Sequence, residues 1–331
     1  MKAAPSIPSF KTLALGLTTL GMAIGFQTAQ ADTWCEQGNT VKFAGINWES
    51  GELLTDLMRT VLEKGYSCKT DAIPGNSITM EQALGQNDIQ VFAEEWIGRS
   101  EAWNKAAKAG TVIGVGAPIK NATEGWYVPR YLVEGDKERG IEAKAPDLKA
   151  IADLDKYAML FKDPEEQSKG RFYNCPAGWT CELENSEKLE EYGLDKTYVN
   201  FRPGTGAALD AAISSSYKRG KPFVTYYWSP TAMLGKYDLV QLKEKPEDEK
   251  EIKIQVGISK VFQDEAPQLV DVLSKVNVPI DLLNKSLAKM SDEKLESDEV
   301  ARLFLKEHPE VWHQWVSEEA ARKIDASVAG Q

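Results

Sequence analysis

Three tryptophans stand where an extended run of the chain gives out. Trp48 follows Val41, Phe43 and Ile46, Trp96 follows Ile89 to Ala93, and Trp228 follows Phe223 to Tyr227. A fourth, Trp179, sits inside the loop Asn174-Cys175-Pro176-Ala177-Gly178-Trp179-Thr180-Cys181-Glu182. Aromatic faces gathered around one point suit a quaternary ammonium. That cation has no N–H to donate, so a carboxylate cannot hold it by hydrogen bonds. Ring quadrupoles attract it while its methyl groups are buried, each face contributing roughly 0.5–2 kcal/mol. Trp126 and Tyr127 form a further candidate pair, and Glu49, Glu94, Glu95 and Glu124 are neighbouring acids able to complement positive charge. Each acid alone is more often a surface carboxylate, and a single Trp at a strand end is usually core.

The loop offers a second chemistry. Cys175 and Cys181 bracket a Pro-x-Gly turn, which folds back sharply enough for a short disulfide loop and would present Trp179 as a rigid face. The residues after it read as a helix from Glu182, so the amides of Trp179, Thr180 and Cys181 are placed to receive an anion. Four cysteines allow three pairings; Cys35–Cys68 and Cys175–Cys181 are expected because each pair is close in sequence. Metal binding is a weak alternative, since His308 and His313 are the chain's two histidines and no Cys-x-x-Cys occurs. Trp34, Trp103, Trp312 and Trp315 stand outside the pattern and read as packing residues.

The elements that must position these groups follow from periodicity. Thr40–Asn47 reads as a strand, Glu52–Lys64 as a helix with Leu53, Leu54, Leu57, Met58, Val61 and Leu62 on one face, and Tyr66–Ile73 as a second strand. A short helix (Thr79–Gly85) and a third strand (Ile89–Ala93) follow. This alternation implies a parallel, open α/β sheet, in which ligands bind beyond the carboxyl ends of strands. Further strands are expected at Gly114–Lys120, Glu124–Val128, Ala158–Phe161, Tyr198–Phe201 and Pro222–Tyr227, with helices at Leu148–Leu154, Glu182–Tyr192 and Thr205–Arg219. Helices fill the C-terminal part, including Pro309–Asp325.

Met1–Ala31 carries only Lys2 and Lys11 as charges, an apolar run and an Ala-Gln-Ala ending, and so reads as a secretory signal peptide. The expected mature chain, Asp32–Gln331, sets 37 basic residues against 50 acidic ones. That balance argues against nucleic acid and anionic membranes as partners. Its length suits two lobes, and its cysteines suit an oxidising compartment outside the cytoplasm.

With these residues in view, the chain resembles the substrate-binding proteins of osmoprotectant ABC importers, which take glycine betaine, choline, proline betaine and relatives. Asn174–Glu182 is similar to that family's disulfide loop, with Trp179 matching a cage residue and Thr180 and Cys181 matching the amides that hold a ligand carboxylate. Tyr226-Tyr227-Trp228-Ser229-Pro230 looks like its aromatic-Trp-Thr/Ser-Pro motif. Glu95-Trp96 matches its Asn-Trp element, and Trp48 resembles the Trp of the choline-type branch. The chain departs from the betaine branch at Ser100, where a His is expected, and at Glu95-Trp96-Ile97-Gly98, where Asn-Trp-x-Pro is expected.

The resemblance implies a type II periplasmic-binding-protein fold of α/β class. Two lobes with open, mainly parallel sheets would be joined by two hinge crossings and would close on ligand. The expected division is a signal peptide at 1–31, first lobe at 32–123, second lobe at 124–235 and a helical return to the first lobe at 236–331. It implies a methylated ammonium ligand, a membrane permease as partner, a monomer, no cofactor and no catalysis. A betaine-type zwitterion is favoured over choline, carnitine or trimethylamine oxide. A sensory role would use the same pocket, whereas an enzyme would need a catalytic set that this sequence does not offer.

Overall fold

The computed structural model describes Met1, residues 33–246 and residues 251–329. Apart from Met1, the expected signal peptide lies outside the described residues. The first lobe opens with α1 (Thr33–Glu36) and β1 (Thr40–Gly45). In α2 (Glu49–Tyr66) the apolar residues at helical spacing, Leu53 to Leu62, are all buried, and Ser67 ends the helix in the left-handed conformation at φ 57°. Then come β2 (Lys69–Pro74), α3 (Ser77–Gly85), β3 (Val91–Trp96), α4 (Glu101–Ala109) and β4 (Val112–Val115). Asn76 and Ser100 cap α3 and α4 by accepting from the Thr79 and Trp103 amides.

The chain crosses to the second lobe before β5 (Thr123–Pro129), followed by α5 (Arg130–Glu134), a 3-10 helix (Ile151–Phe161) and β6 (Gly170–Tyr173). Next are α6 (Thr180–Glu191), a 3-10 turn (Leu194–Lys196), β7 (Tyr198–Phe201) and α7 (Gly206–Lys218). The lobe ends with β8 (Val224–Ser229), α8 (Ala232–Lys236) and β9 (Leu239–Gln241). After returning, β10 (Ile254–Ser259) leads into α9 (Lys260–Glu265), α10 (Pro267–Lys275), α11 (Ile280–Glu293) and α12 (Ser297–Glu307). α13 (Pro309–Trp312), a 3-10 turn (His313–Trp315) and α14 (Glu318–Ala329) finish the described chain. Trp312 and Trp315 are buried in the first lobe's core, as expected of packing residues.

The two sheets repeat one plan, β2-β1-β3-β10-β4 in the first lobe and β7-β6-β8-β5-β9 in the second. In each, one strand supplied after a crossing, β10 or β5, runs antiparallel to both its neighbours. The other pairings are parallel. Each sheet is therefore mixed, where a mainly parallel one was expected. The alternation of strands and helices carries no signal of a strand entering from the opposite lobe. β9 pairs with β5, so the chain leaves the second sheet after Gln241, past the expected 235/236 boundary.

Two local expectations are overturned. Ala158–Phe161 closes a 3-10 helix and is not a strand. Ile151, Leu154, Ala158 and Phe161 are its buried residues, three or four positions apart. That spacing is helical, and a short apolar window cannot show it. Pro309–Asp325 is likewise broken at the 3-10 turn.

Both expected disulfides are present, Cys35–Cys68 and Cys175–Cys181. Their separations of 33 and 6 residues predict unequal stabilisation, about 3–4 and about 2 kcal/mol from the loop entropy removed from the unfolded chain. Urea unfolding of single-bridge Cys→Ser variants should therefore show the larger loss for Cys35–Cys68. An equal loss would contradict this ordering.

Candidate functional site

A cavity of about 40 Å³ lies between the lobes. Trp48, Trp96, Trp179 and Trp228 all line it, as do Thr180, Cys181 and Glu124. Trp48 is the residue before α2, in extended conformation, so its side chain turns back over the sheet end. A Cβ on Gly51 would come within 2.8 Å of the Trp48 Nε1 and 2.2 Å of Ile46 Cδ1. Only glycine lets the indole lie against the first turn of α2.

Trp96 is the last residue of β3. Trp179 precedes α6 and reaches across to the first lobe, where its Nε1 donates to Asn47 Oδ1 at 2.8 Å. Its ring meets Trp48 edge-on at 5.4 Å and Trp228 edge-on at 5.5 Å. Trp228 is stacked on Tyr227 at 4.8 Å and on Tyr226 at 6.1 Å, and Tyr227 is anchored by donating its hydroxyl to Asp210. Both lobes thus contribute two tryptophans to one enclosure.

The loop that carries Trp179 is held by an amide network. Asn174 receives the Cys175 amide at 2.7 Å and the Asn185 side chain at 3.0 Å, and donates to the Glu182 carbonyl at 3.1 Å. Trp126, expected near the ligand, belongs to this support instead. It is fully buried, packs against Phe172 with the rings tilted by 30° and 4.0 Å apart, and donates to Asn185 Oδ1 at 2.7 Å. Tyr127 donates to Gln241 and does not line the cavity either. The cause is the direction of β5: its antiparallel entry leaves its first residues, including Glu124, at the cleft, and by Trp126 the strand is already inside the sheet.

The electrostatics are one-sided. Five glutamates (81, 94, 95, 124 and 184) and one cation, Arg99, line the cavity. Arg99 comes from the first lobe and bridges Glu124 and Glu184 of the second, the latter at 2.5 Å, with its Cζ 5.6 Å from the Trp96 ring. Burial opposes its charge, but Glu124 and Glu184 outweigh that and hold it above its ordinary range. Tyr226 adds its hydroxyl to Glu124 at 2.5 Å.

Glu94 is fully buried, and its Oε1 accepts from both Trp48 Nε1 (3.0 Å) and Trp96 Nε1 (3.1 Å). Burial pushes it up to about 7 against the pull of Ser50 and the two indoles. Burial also raises Glu81, to about 7, against a hydrogen bond from Ser100. It raises Glu95 well above the usual range, with Glu81 adding to the effect. Ser100, the departure from the betaine-branch histidine, therefore caps α4 and holds Glu81.

Arg99, Glu184, Tyr226, Glu81, Ser77 and Phe92 complete the lining and were not among the expected site residues. An arginine three positions after Trp96 was the available signal for Arg99. Glu184 could be placed only once α6 was known to face the cleft.

Comparison with known proteins now decides the family. A family model described as the substrate binding domain of ABC-type glycine betaine transport system matches residues 39–307. The chain belongs to this family. It is 34% identical over 223 residues to the glycine betaine-binding periplasmic protein OusX of Dickeya dadantii, a match covering 65% of this chain and 63% of that protein. With the glycine betaine/proline betaine-binding periplasmic protein of Escherichia coli it is 30% identical over 152 residues, covering 45% and 42%. The matched stretches thus span less than two thirds of these relatives.

Among solved structures, an ABC-transporter choline binding protein in complex with choline superposes with a TM-score of 0.75 at 17% identity, covering 88% of this chain and 99% of that one. Lactococcal OpuAC, closed and complexed with glycine betaine, gives 0.69 at 20% identity, covering 84% and 100%. At such identities the likeness establishes the shared type II periplasmic-binding-protein fold. Among the described residues no helix is long and apolar enough to cross a membrane.

Proposed function

We propose that this chain is a periplasmic solute receptor that captures a methylated ammonium compound, a glycine betaine-like zwitterion first, and delivers it to the permease of an ABC importer. The observation that carries this reading is the enclosure of one cavity by Trp48 and Trp96 from one lobe and Trp179 and Trp228 from the other. Ring faces attract the ammonium most when water is excluded, and closure of the lobes excludes it. The first amides of α6, at Thr180 and Cys181, supply donors for the anionic end. The names of the matched relatives and of the glycine betaine-bound neighbour agree with this ligand class. Capture and release need no catalytic group, and the receptor works as a monomer.

One observation favours a second reading. The wall holds five carboxyl groups and a single arginine already paired with two of them, a balance suited to a net cation such as choline. Calorimetric titration of the mature chain with glycine betaine, choline, carnitine and trimethylamine oxide separates the two. The expected result is saturable binding of glycine betaine near 1 µM, about −8 kcal/mol. Tighter binding of choline would establish the second reading, and silence with all four would overturn the proposal.

A further inference from the structure

We propose that Glu94 is the specificity-determining anion of this cavity, and that capture of the ammonium displaces its proton to solvent. The inference rests on the ligand class proposed above and adds a charge partner and a regulation to it.

The geometry singles out this carboxyl among five. Glu124 and Glu184 already share the Arg99 guanidinium, and Glu124 also accepts from Tyr226. Glu81 is held by the Ser100 hydroxyl, and burial followed by the nearby Glu81 keeps Glu95 well above the usual carboxylate range. Glu49, at the start of α2, faces Asp210 of α7 and Lys236 of α8 instead. Among the described residues Glu94 forms no ion pair, and Arg99 is taken by Glu124 and Glu184.

Its Oε1 takes both indole N–H groups, which fixes the orientation of Trp48 and Trp96 by a single atom. Glu94 lines the cavity, and its Oε2 is buried with no hydrogen-bond partner among the described residues. The neighbouring Ser50 hydroxyl favours the ionised carboxyl, but by less than burial disfavours it. A buried acceptor without a donor is costly to leave ionised. In the ligand-free cavity below about pH 7 the cheaper state is therefore the protonated acid, which carries no charge to be solvated. A quaternary ammonium brings charge but no donor, so it reverses that preference through Coulomb attraction alone. The O–H bond breaks, the proton leaves to buffer, and the carboxylate remains opposite the cation.

The sign follows. A ligand that prefers ionised Glu94 binds more tightly as pH rises through about 7, the value to which burial pushes this group, and its affinity is flat above that. The affinity for glycine betaine should therefore rise about tenfold between about pH 6 and about pH 8. Near neutrality, capture should release about half a proton.

The test is calorimetry of the wild-type chain with glycine betaine in phosphate and in Tris, whose ionisation enthalpies differ, repeated across this pH range. Proton release and the tenfold rise are expected. Glu94→Gln keeps an oxygen for the two indoles but cannot lose a proton. It should bind about 10–100-fold more weakly at about pH 8, with neither pH dependence nor proton release. The uncharged 3,3-dimethylbutan-1-ol should bind the wild type no better as pH rises.

Binding of glycine betaine that is flat with pH and exchanges no proton would overturn the role of Glu94 while leaving the proposed function intact. A pH slope that persists in Glu94→Gln would do the same. Absence of binding by any ammonium compound would remove both. If the variant does not fold, the two-buffer measurement on the wild type decides alone.

Discussion

Replacing Trp179 with alanine should weaken ligand binding by about 3 kcal/mol, roughly 150-fold, and more than the same change at Trp228. Trp179 does two jobs. It forms one wall of the enclosure, and it is the aromatic that touches the opposite lobe, through Trp48 at 5.4 Å and Asn47 at 2.8 Å. Truncation would remove a ring face from the cation and also a contact that joins the two lobes. Trp228, by contrast, is stacked on two tyrosines of its own lobe, so its loss should leave closure less affected, at about 1–3 kcal/mol. Calorimetry checks both, with urea unfolding of the ligand-free variants to show that the fold persists. Equal effects at the two positions would mean that Trp179 acts as a cage wall alone.

The second large effect is expected at Arg99. Its side chain is only 10% exposed and connects Glu124 and Glu184 across the cleft. Removing one partner of a buried ionic group leaves the others uncompensated, which typically costs 3–5 kcal/mol. Under the proposed hinge motion the lobes separate and rehydrate both carboxylates. Arg99→Met should therefore lower affinity by about 3 kcal/mol, with little loss of unfolding stability, and should enlarge the radius of gyration measured by small-angle scattering. Arg99→Lys should restore only part of the binding, since an ammonium lacks the fork that reaches two carboxylates at once. Unchanged affinity and unchanged radius in Arg99→Met would remove Arg99 from the closure mechanism.

How much of this was legible beforehand depended on whether a residue's position followed from its own neighbourhood in the chain. Trp48, Trp96 and Trp228 end strands whose apolar runs are plain. Ligand sites of α/β sheets lie beyond such ends, so their convergence on one cavity could be expected. The Cys175–Cys181 loop announced Trp179 by its turn residues.

Trp126 shows where this reasoning stops. It lies two residues beyond Glu124, yet β5 enters the sheet against the direction of its neighbours, so the same offset that brings Glu124 to the cleft buries Trp126 beneath α6. Arg99 and Glu184 are 85 residues apart and belong to different lobes. Their pairing joins the two lobes, and no periodicity within either segment encodes it. The role of Ser100 was hidden for a related reason: capping α4 is local and readable, whereas its bond to Glu81 depends on how α3 packs against that turn.

The central claim is that four tryptophans from two lobes surround one methylated ammonium. A crystal structure of the mature chain grown with glycine betaine tests it most directly. The account predicts the ligand nitrogen within about 6 Å of the Trp48, Trp96, Trp179 and Trp228 ring centroids, with its carboxylate on the first amides of α6. A ligand seated elsewhere, or a cleft in which fewer than three of these rings face the nitrogen, would contradict it.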